Sequence, residues 1–234
     1  MTDTSIKLYQ GTPHGCAYLP EQQAVMHVVD PQFPLSASHY GILLEAGFRR
    51  SGNMVYRPGC PSCSACKPAR IDTRAFLPNR SQRRCLKKNR DIELRVAPTL
   101  QQQHFELYRK YLMQRHADGE MSADSIADMQ QFLLSEWSET LLLEGWLDEQ
   151  LLFVAVTDVV DNGLSALYTF FDPEMPRRGL GTYGILQQIE QARQLGLKWL
   201  YLGYWIAECR KMAYKGNFNA LQVLHHNRGW QALK

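Results

Sequence analysis

The second half of the chain constrains the fold most. Three apolar runs, Thr140–Leu147, Leu151–Val159 and Leu164–Phe171, have strand length and are separated by turn residues. Asp161-Asn162-Gly163 lies between the second and third, a strong signal for a tight hairpin. A helical pattern follows from Leu180 to Leu195, after Pro176 and Gly179 and ending at Gly196. Trp199–Trp205 reads as another strand. This order predicts an α/β (α+β) core: a mixed, mostly antiparallel sheet flanked by helices.

The first half is less regular. Up to about Arg90 it is rich in Pro, Gly and Cys. Ser36–Phe48 reads as a short helix capped by Ser36. Met54–Arg57 and Ala69–Thr73 read as strands around a cysteine loop, Ser81–Arg90 as a basic helix and Ile92–Val96 as a strand. Thr99–Arg115 and Asp124–Leu134 are helical patterns. A length of 234 residues suits one large domain or two small ones. The expected division is a smaller cysteine-containing N-terminal subdomain, residues 1–95, and a second domain, residues 96–234. The longest apolar runs are too short to span a bilayer. Met1–Gln10 lacks the basic start and apolar core of a secretory signal, so a cytoplasmic, membrane-free protein is expected.

Charge is unevenly spread. From Lys67 to Arg95 ten Lys/Arg face three Asp/Glu, a balance of +7. From His116 to Gln150 there are nine Asp/Glu and no Lys or Arg, a balance of −9. Such asymmetry suits a face that meets an anionic partner, although solvated helical faces give the same pattern. In the basic segment Arg80, Arg83, Arg84, Lys87, Lys88 and Arg90 recur at three- and four-residue spacing. Like charges on one helical side are destabilising, and nucleic-acid phosphates would offset the repulsion.

Three further motifs carry chemistry. In Arg177-Arg178-Gly179-Leu180-Gly181-Thr182, glycines at a helix start let backbone approach a ligand, and the free N–H groups of the first turn favour an anion. In Tyr201–Phe218, an aromatic strand containing Tyr204 and Trp205 runs into Glu208, Arg210, Lys211, Tyr214 and Lys215. Aromatic faces stack on bases and cations hold phosphates, a mixture suited to a nucleic-acid 3′ end. Cys60, Cys63 and Cys66 have C-x2-C-x2-C spacing, with Cys16 as a fourth thiol. Six cysteines without a secretory signal point to metal or catalysis rather than disulfides. The spacing suits structural zinc and equally an iron–sulfur run, though the Cys-x3-Cys-Pro ending is absent. Cys85 and Cys209 read as isolated packing cysteines.

The strand–helix order resembles the core of the acetyltransferase-type (GNAT) fold. In that family a Gln/Arg-x-x-Gly-x-Gly/Ala loop holds coenzyme A, but Pro176 stands where the Gln/Arg belongs. A closer resemblance covers nearly the whole chain. Gly203-Tyr204-Trp205-Ile206, Cys209-x-Lys211-Met212-x-Tyr214-Lys215-Gly216 and Leu180-Gly181-Thr182-Tyr183 resemble the C-terminal half of the arginyl-tRNA–protein transferase family. His14-x-Cys16-x-Tyr18-Leu19, Phe48-Arg49-Arg50-Ser51-Gly52, Tyr56-Arg57-Pro58, the cysteine run and Phe76-x-Pro78-x-Arg80-Ser81-Gln82-Arg83-Arg84 resemble its N-terminal half. So compact a chain is similar to the bacterial members, which use leucyl-tRNA and act on N-terminal Asp or Glu.

The resemblance implies amine attack on the ester at a tRNA 3′ end, an acyl transfer whose chemistry needs no cofactor. A structural zinc or iron–sulfur cluster is then the expectation for Cys16, Cys60, Cys63 and Cys66. Arg178, Gly179, Gly181, Lys211, Tyr214, Lys215, Arg84 and Lys87 are expected at the tRNA, and Arg80 and Arg83 at the acidic acceptor. Tyr168, Phe170 and Trp205 are expected around the leucyl side chain, with Tyr204 or Glu208 relaying a proton. The tagged protein would be directed to degradation. An arginyl donor would need a carboxylate in the pocket, with Glu208, Asp172 and Glu174 as candidates. A coenzyme A-dependent acetyltransferase and a metal-dependent, non-enzymatic RNA-binding module are the rivals from other classes.

Overall fold

A computed structural model describes residues 5–115 and 124–233. The start of the acidic run, residues 116–123, and the first four residues of the N-terminal segment lie outside the described residues.

The first half builds a small antiparallel sheet and one helix. Strands β1 (Leu8–Gln10), β4 (Met26–Val29), β5 (Arg49–Ser51) and β6 (Met54–Pro58) pair in the order β1-β4-β6-β5. The hairpin β2 (His14–Gly15) and β3 (Gln23–Ala24) stands apart. Helix α1 (Ala37–Glu45) starts where its sequence signal puts it, because the Ser36 side chain accepts from the His39 N–H. The Gly59–Cys66 loop joins β6 to β7 (Lys67–Asp72).

Helix α2 (Arg80–Lys88) carries like charges and is held by a capping box. Asn79 accepts from the Gln82 backbone while Gln82 accepts from the Asn79 backbone. Then come β8 (Glu93–Ala97), α3 (Gln102–Arg115), α4 (Ile126–Leu133), β9 (Glu139–Leu147), β10 (Gln150–Val160) and β11 (Gly163–Phe171). A short 3-10 turn, Pro176–Arg178, leads into α5 (Leu180–Gln194). The chain ends with β12 (Trp199–Trp205), α6 (Arg210–Ala213), β13 (Leu221–His225) and β14 (Gly229–Ala232).

These strands form one eight-stranded sheet in the order β14-β13-β7-β12-β11-β10-β9-β8. Every pairing in it is antiparallel except β11 with β12. Strand β10 is apolar on both faces because both are covered. Leu151, Val154, Val156 and Phe170 meet α3 and α4 through Phe105, Tyr108, Met129 and Leu133. Leu152, Phe153 and Ala155 face Leu180 and Tyr183 of α5.

The expected hairpin joins β10 to β11, but Gly163 plays a different part from the one its turn signal suggests. Its φ is not positive, and a Cβ there would lie 2.5 Å from the Trp199 carbonyl oxygen. The glycine therefore lets β12 come alongside in parallel. The expected division at residue 95 does not follow the sheets. Lys67–Asp72 lies in the large sheet between β12 and β13, and β8 crosses the boundary itself.

Candidate active site

The parallel pair β11–β12 is joined only at its start. Gly163–Ser165 pairs with Trp199–Tyr201, and β11 then runs on to Phe171 without β12 beside it. Strand β12 stays paired to β7 on its other side, with a register shift between Tyr201 and Gly203. An opening is left between the two strands. Arg49 of β5 enters it: Nη1 donates to Ser165 Oγ at 3.0 Å and Nη2 to the Ala166 carbonyl at 2.7 Å. Gly203, at φ +75°, makes room, since a Cβ there would sit 3.3 Å from Arg49 Nε. Arg49 is 7% exposed and has no carboxylate partner among the described residues.

Lys215 is the second buried cation here, 6% exposed. Its Nζ donates to the Tyr204 carbonyl at 2.5 Å and lies 3.6 Å from Met212 Sδ. Burial and then the nearby Arg49 charge lower its pKa to about 7. The thiols of Cys209 and Cys66 act weakly in the opposite direction. Two cations buried without a carboxylate are costly unless something anionic arrives or one gives up its proton.

The proposed proton relays differ in access. Tyr204 is buried, its hydroxyl donates to the Gly47 carbonyl at 3.0 Å, and burial raises its pKa well above the usual phenol. Glu208 is exposed beyond the end of β12. Lys211 is exposed, and Tyr214 is 41% exposed. Lys215 therefore points inward while Lys211 and Tyr214 of the same run face outward.

The three residues expected around the aminoacyl side chain divide. Tyr168 and Phe170 belong to the cluster under α3, in edge contact with Tyr108. The Tyr168 hydroxyl is buried with no hydrogen-bond partner among the described residues. Trp205 packs on the other side, against the cluster of Leu200, Leu202 and Phe218, and its Nε1 donates to the Ala213 carbonyl at 3.3 Å.

The glycine-bounded helix start and the basic helix, distant in sequence, come together. Cys85 of α2 donates to the Arg178 and Gly179 carbonyls at 3.6 Å each, and Lys88 Nζ donates to the Arg177 carbonyl at 2.6 Å. Gly179 adopts φ +67° as the N-cap of α5, without a capping side chain. A Cβ on Gly181 would lie 3.1 Å from the Phe171 ring. Arg178 is already paired to Asp91, with two bonds of 2.9 Å, so it braces the turn. Arg80, Arg83, Arg84 and Lys87 are all exposed on α2. Of these, Arg83 donates to the Pro78 carbonyl, and the other three have no partner among the described residues.

Cys16, Cys60, Cys63 and Cys66 all line a cavity of about 450 Å³. Burial, then the neighbouring thiols, push Cys66 up to about 12. Among the described residues no three His, Cys, Asp or Glu side chains are placed to hold a metal ion. In this arrangement the four thiols do not form a closed metal site. No step below is routed through a metal. Cys85 and Cys209 pack as single thiols.

Arg49 was legible only as part of Phe48-Arg49-Arg50-Ser51-Gly52, and nothing local distinguished it from Arg50. The two are sent to different partners. Arg50 Nε meets Asp158 at 2.8 Å with both side chains fully buried.

Comparison with known proteins identifies the surroundings of this site. Residues 14–84 match the model of the N terminus of arginine-tRNA-protein transferase and residues 103–225 that of its C terminus. The aspartate/glutamate leucyltransferase of Pseudomonas fluorescens is 47% identical, and that of Pseudomonas syringae pv. syringae 46%, each over 97% of both chains. The enzyme of the same name from Pseudomonas aeruginosa is also 46% identical over 97% of both. Among solved structures, a C-terminal domain from Agrobacterium fabrum assigned to lysylphosphatidylglycerol synthetase superposes with TM-score 0.47 and 14% identity. It covers 61% of this chain and 47% of its own.

Proposed function

The chain belongs to the arginine-tRNA-protein transferase family, and from that premise we propose that it transfers leucine from leucyl-tRNA to the N-terminal α-amine of proteins beginning with Asp or Glu. The observation that carries this reading is 46–47% identity to aspartate/glutamate leucyltransferases over nearly the full length. A cytoplasmic place of action, where charged tRNA is found, suits it, and among the described residues no helix is long and apolar enough to cross a membrane. Tagging for degradation follows from the family.

The reaction needs little covalent help. The α-amine attacks the ester carbonyl, a C–N bond forms, the C–O bond to the tRNA 3′ end breaks, and a proton passes from the amine to the departing oxygen, which leaves as the hydroxyl of the tRNA 3′ end. Positioning supplies much of the rate, with a proton acceptor and donors for the developing oxyanion. Lys215 suits the acceptor role better than Tyr204 or Glu208. Its amine is neutral for part of the time near pH 7, whereas the Tyr204 hydroxyl is committed to Gly47. Arg49 is the charge best suited to steady an oxyanion between the diverging strands. That divergence, behind a glycine-led helix, also favours an acyltransferase core of GNAT type, with the small sheet of β1, β4, β5 and β6 as its appended part.

The outward α2 cations, with Lys211, Tyr214 and the start of α5 at Gly179 and Gly181, form the surface best suited to tRNA phosphates and the 3′ end. Arg80 and Arg83 go with this surface. Tyr168 and Phe170 are the remaining candidates for the leucyl pocket. A leucyl donor is favoured over arginyl because two of the three nearby carboxylates are taken: Lys110 pairs with Asp172 at 2.9 Å and Glu174 at 2.7 Å. The deciding experiment offers an Asp-peptide tRNA charged with labelled leucine or, in parallel, labelled arginine. Leucine on the α-amine is expected; arginine alone would reverse the donor, and transfer of neither would sink the reaction.

A further inference from the structure

Resting on the reading that acceptors begin with Asp or Glu, we propose that the cysteine-lined cavity is the binding site for that acidic first residue, with Arg57 and Lys67 as its charge partners. The cavity lies between the β2–β3 hairpin, the loop after β6 and the turn joining β13 to β14. Its volume of about 450 Å³ is that of a ligand pocket rather than a packing defect. It is large enough for the end of a peptide chain.

Its charge is one-sided. The lining contains Arg57, Lys67, His27, His225 and His226, and no Asp or Glu. Neither cation has a carboxylate partner among the described residues. Arg57 lies over the Phe48 ring at 4.8 Å and reaches only the Ala46 carbonyl, at 3.5 Å. Lys67 lies 5.8 Å from the centre of the Trp205 ring. Elsewhere Arg50, Arg70, Lys110 and Arg178 each hold a carboxylate. A concave surface with two free cations and imidazole donors focuses a positive field where a carboxylate would sit. The wall is also fixed closely: a Cβ on Gly59 would lie 2.4 Å from the His27 ring, so that ring rests directly on the loop backbone.

The cavity adjoins the transfer centre. Tyr204 lines it, and the carbonyl of the same residue accepts the Lys215 ammonium. Lys67, which pairs with Trp205 of β12, thus holds an acidic side chain next to the strand that carries Tyr204. Arg80 and Arg83, the cations expected from sequence to read the acceptor, are not among its lining residues.

The test uses the full-length protein with leucyl-tRNA and peptides beginning with Asp, Glu or Ala. In Arg57→Gln and Lys67→Gln the KM for Asp- and Glu-peptides should rise about tenfold or more per lost charge, with the KM for leucyl-tRNA and the melting temperature unchanged. Arg57→Lys should recover most of the loss. An unchanged acceptor KM in a folded Arg57→Gln, Lys67→Gln double variant overturns the site. An independent readout needs no variant: acetylation of Lys67 in the wild-type protein, followed by mass spectrometry, should be suppressed by an Asp-peptide and not by an Ala-peptide. If the wild type transferred leucine to no peptide, the reaction would fall. Protection of Lys67 would still support an acidic-peptide site, and its absence would remove it.

Discussion

At the scale of single residues, Lys215 shows how far burial changes a role. In sequence it is one of three cations, with Arg210 and Lys211, and all three suit a phosphate. In the fold its amine is enclosed near Arg49, with the thiols of Cys66 and Cys209 as the other titratable neighbours. Its pKa in the folded chain, about 7, lies below the ordinary 10.5. Between these values the unfolded chain binds more protons, so stability rises with pH across that window and is constant outside it. Compared with Lys215→Met, the wild type should gain up to about 1.4 kcal/mol per pH unit between pH 7.5 and 10. Urea unfolding at several pH values measures this, and parallel curves would refute it. The same variant should also lose the rising limb of the pH–rate profile near 7. Arg49 makes a similar point. Its sequence neighbour Arg50 has an identical side chain, and only the tertiary fold gives one a carboxylate and leaves the other without.

At the scale of elements, α2 is the clearest candidate surface for tRNA. Arg80, Arg84 and Lys88 are spaced at four residues, a repulsive arrangement worth a few tenths of a kcal/mol per pair. The capping box at Asn79 and Gln82, with Cys85 and Leu86 packed inward, holds the helix despite it. Arg84→Gln and Lys87→Gln should each weaken tRNA binding and lower the slope of log K against log salt by about one. Neither should reduce stability, because neither side chain has a partner among the described residues to lose. A salt slope equal to that of the wild type would show that α2 faces away from the tRNA. The helix was readable from its three- and four-residue spacing. Its position against the start of α5 was not, because Cys85 and Gly179 lie far apart in the chain.

At the scale of the whole molecule, the buried Arg50–Asp158 pair joins the small sheet to the large one. Arg50 belongs to β5 and Asp158 to β10, and the guanidinium also donates to the Leu133 carbonyl and to Thr140 Oγ1. Removing one partner leaves the other charge buried alone, so Arg50→Met should cost about 3–5 kcal/mol. Arg50→Met combined with Asp158→Leu should recover much of this. If the double variant were as unstable as the single one, the ion pair would not be the cause. The pairing of β7 with β12 and β13 is another cross-chain link: the segment beside the cysteine loop is built into the sheet that carries the proposed transfer site.

The sequence by itself determined the local elements and the family. Helix caps, turn residues and strand-length apolar runs act over a few residues, so α1, α2, α5 and β9 to β12 could be read within a residue or three of their ends. Motifs spread through both halves carried the resemblance to the transferases, and comparison with relatives supports it. Tertiary structure decided which cations are buried, which have carboxylates and which face a cavity. Lys215, Arg49 and the pair Arg57 and Lys67 owe their character to chain segments distant in sequence. Desolvation and charge pairing depend on distances through space, and local pattern does not encode those distances.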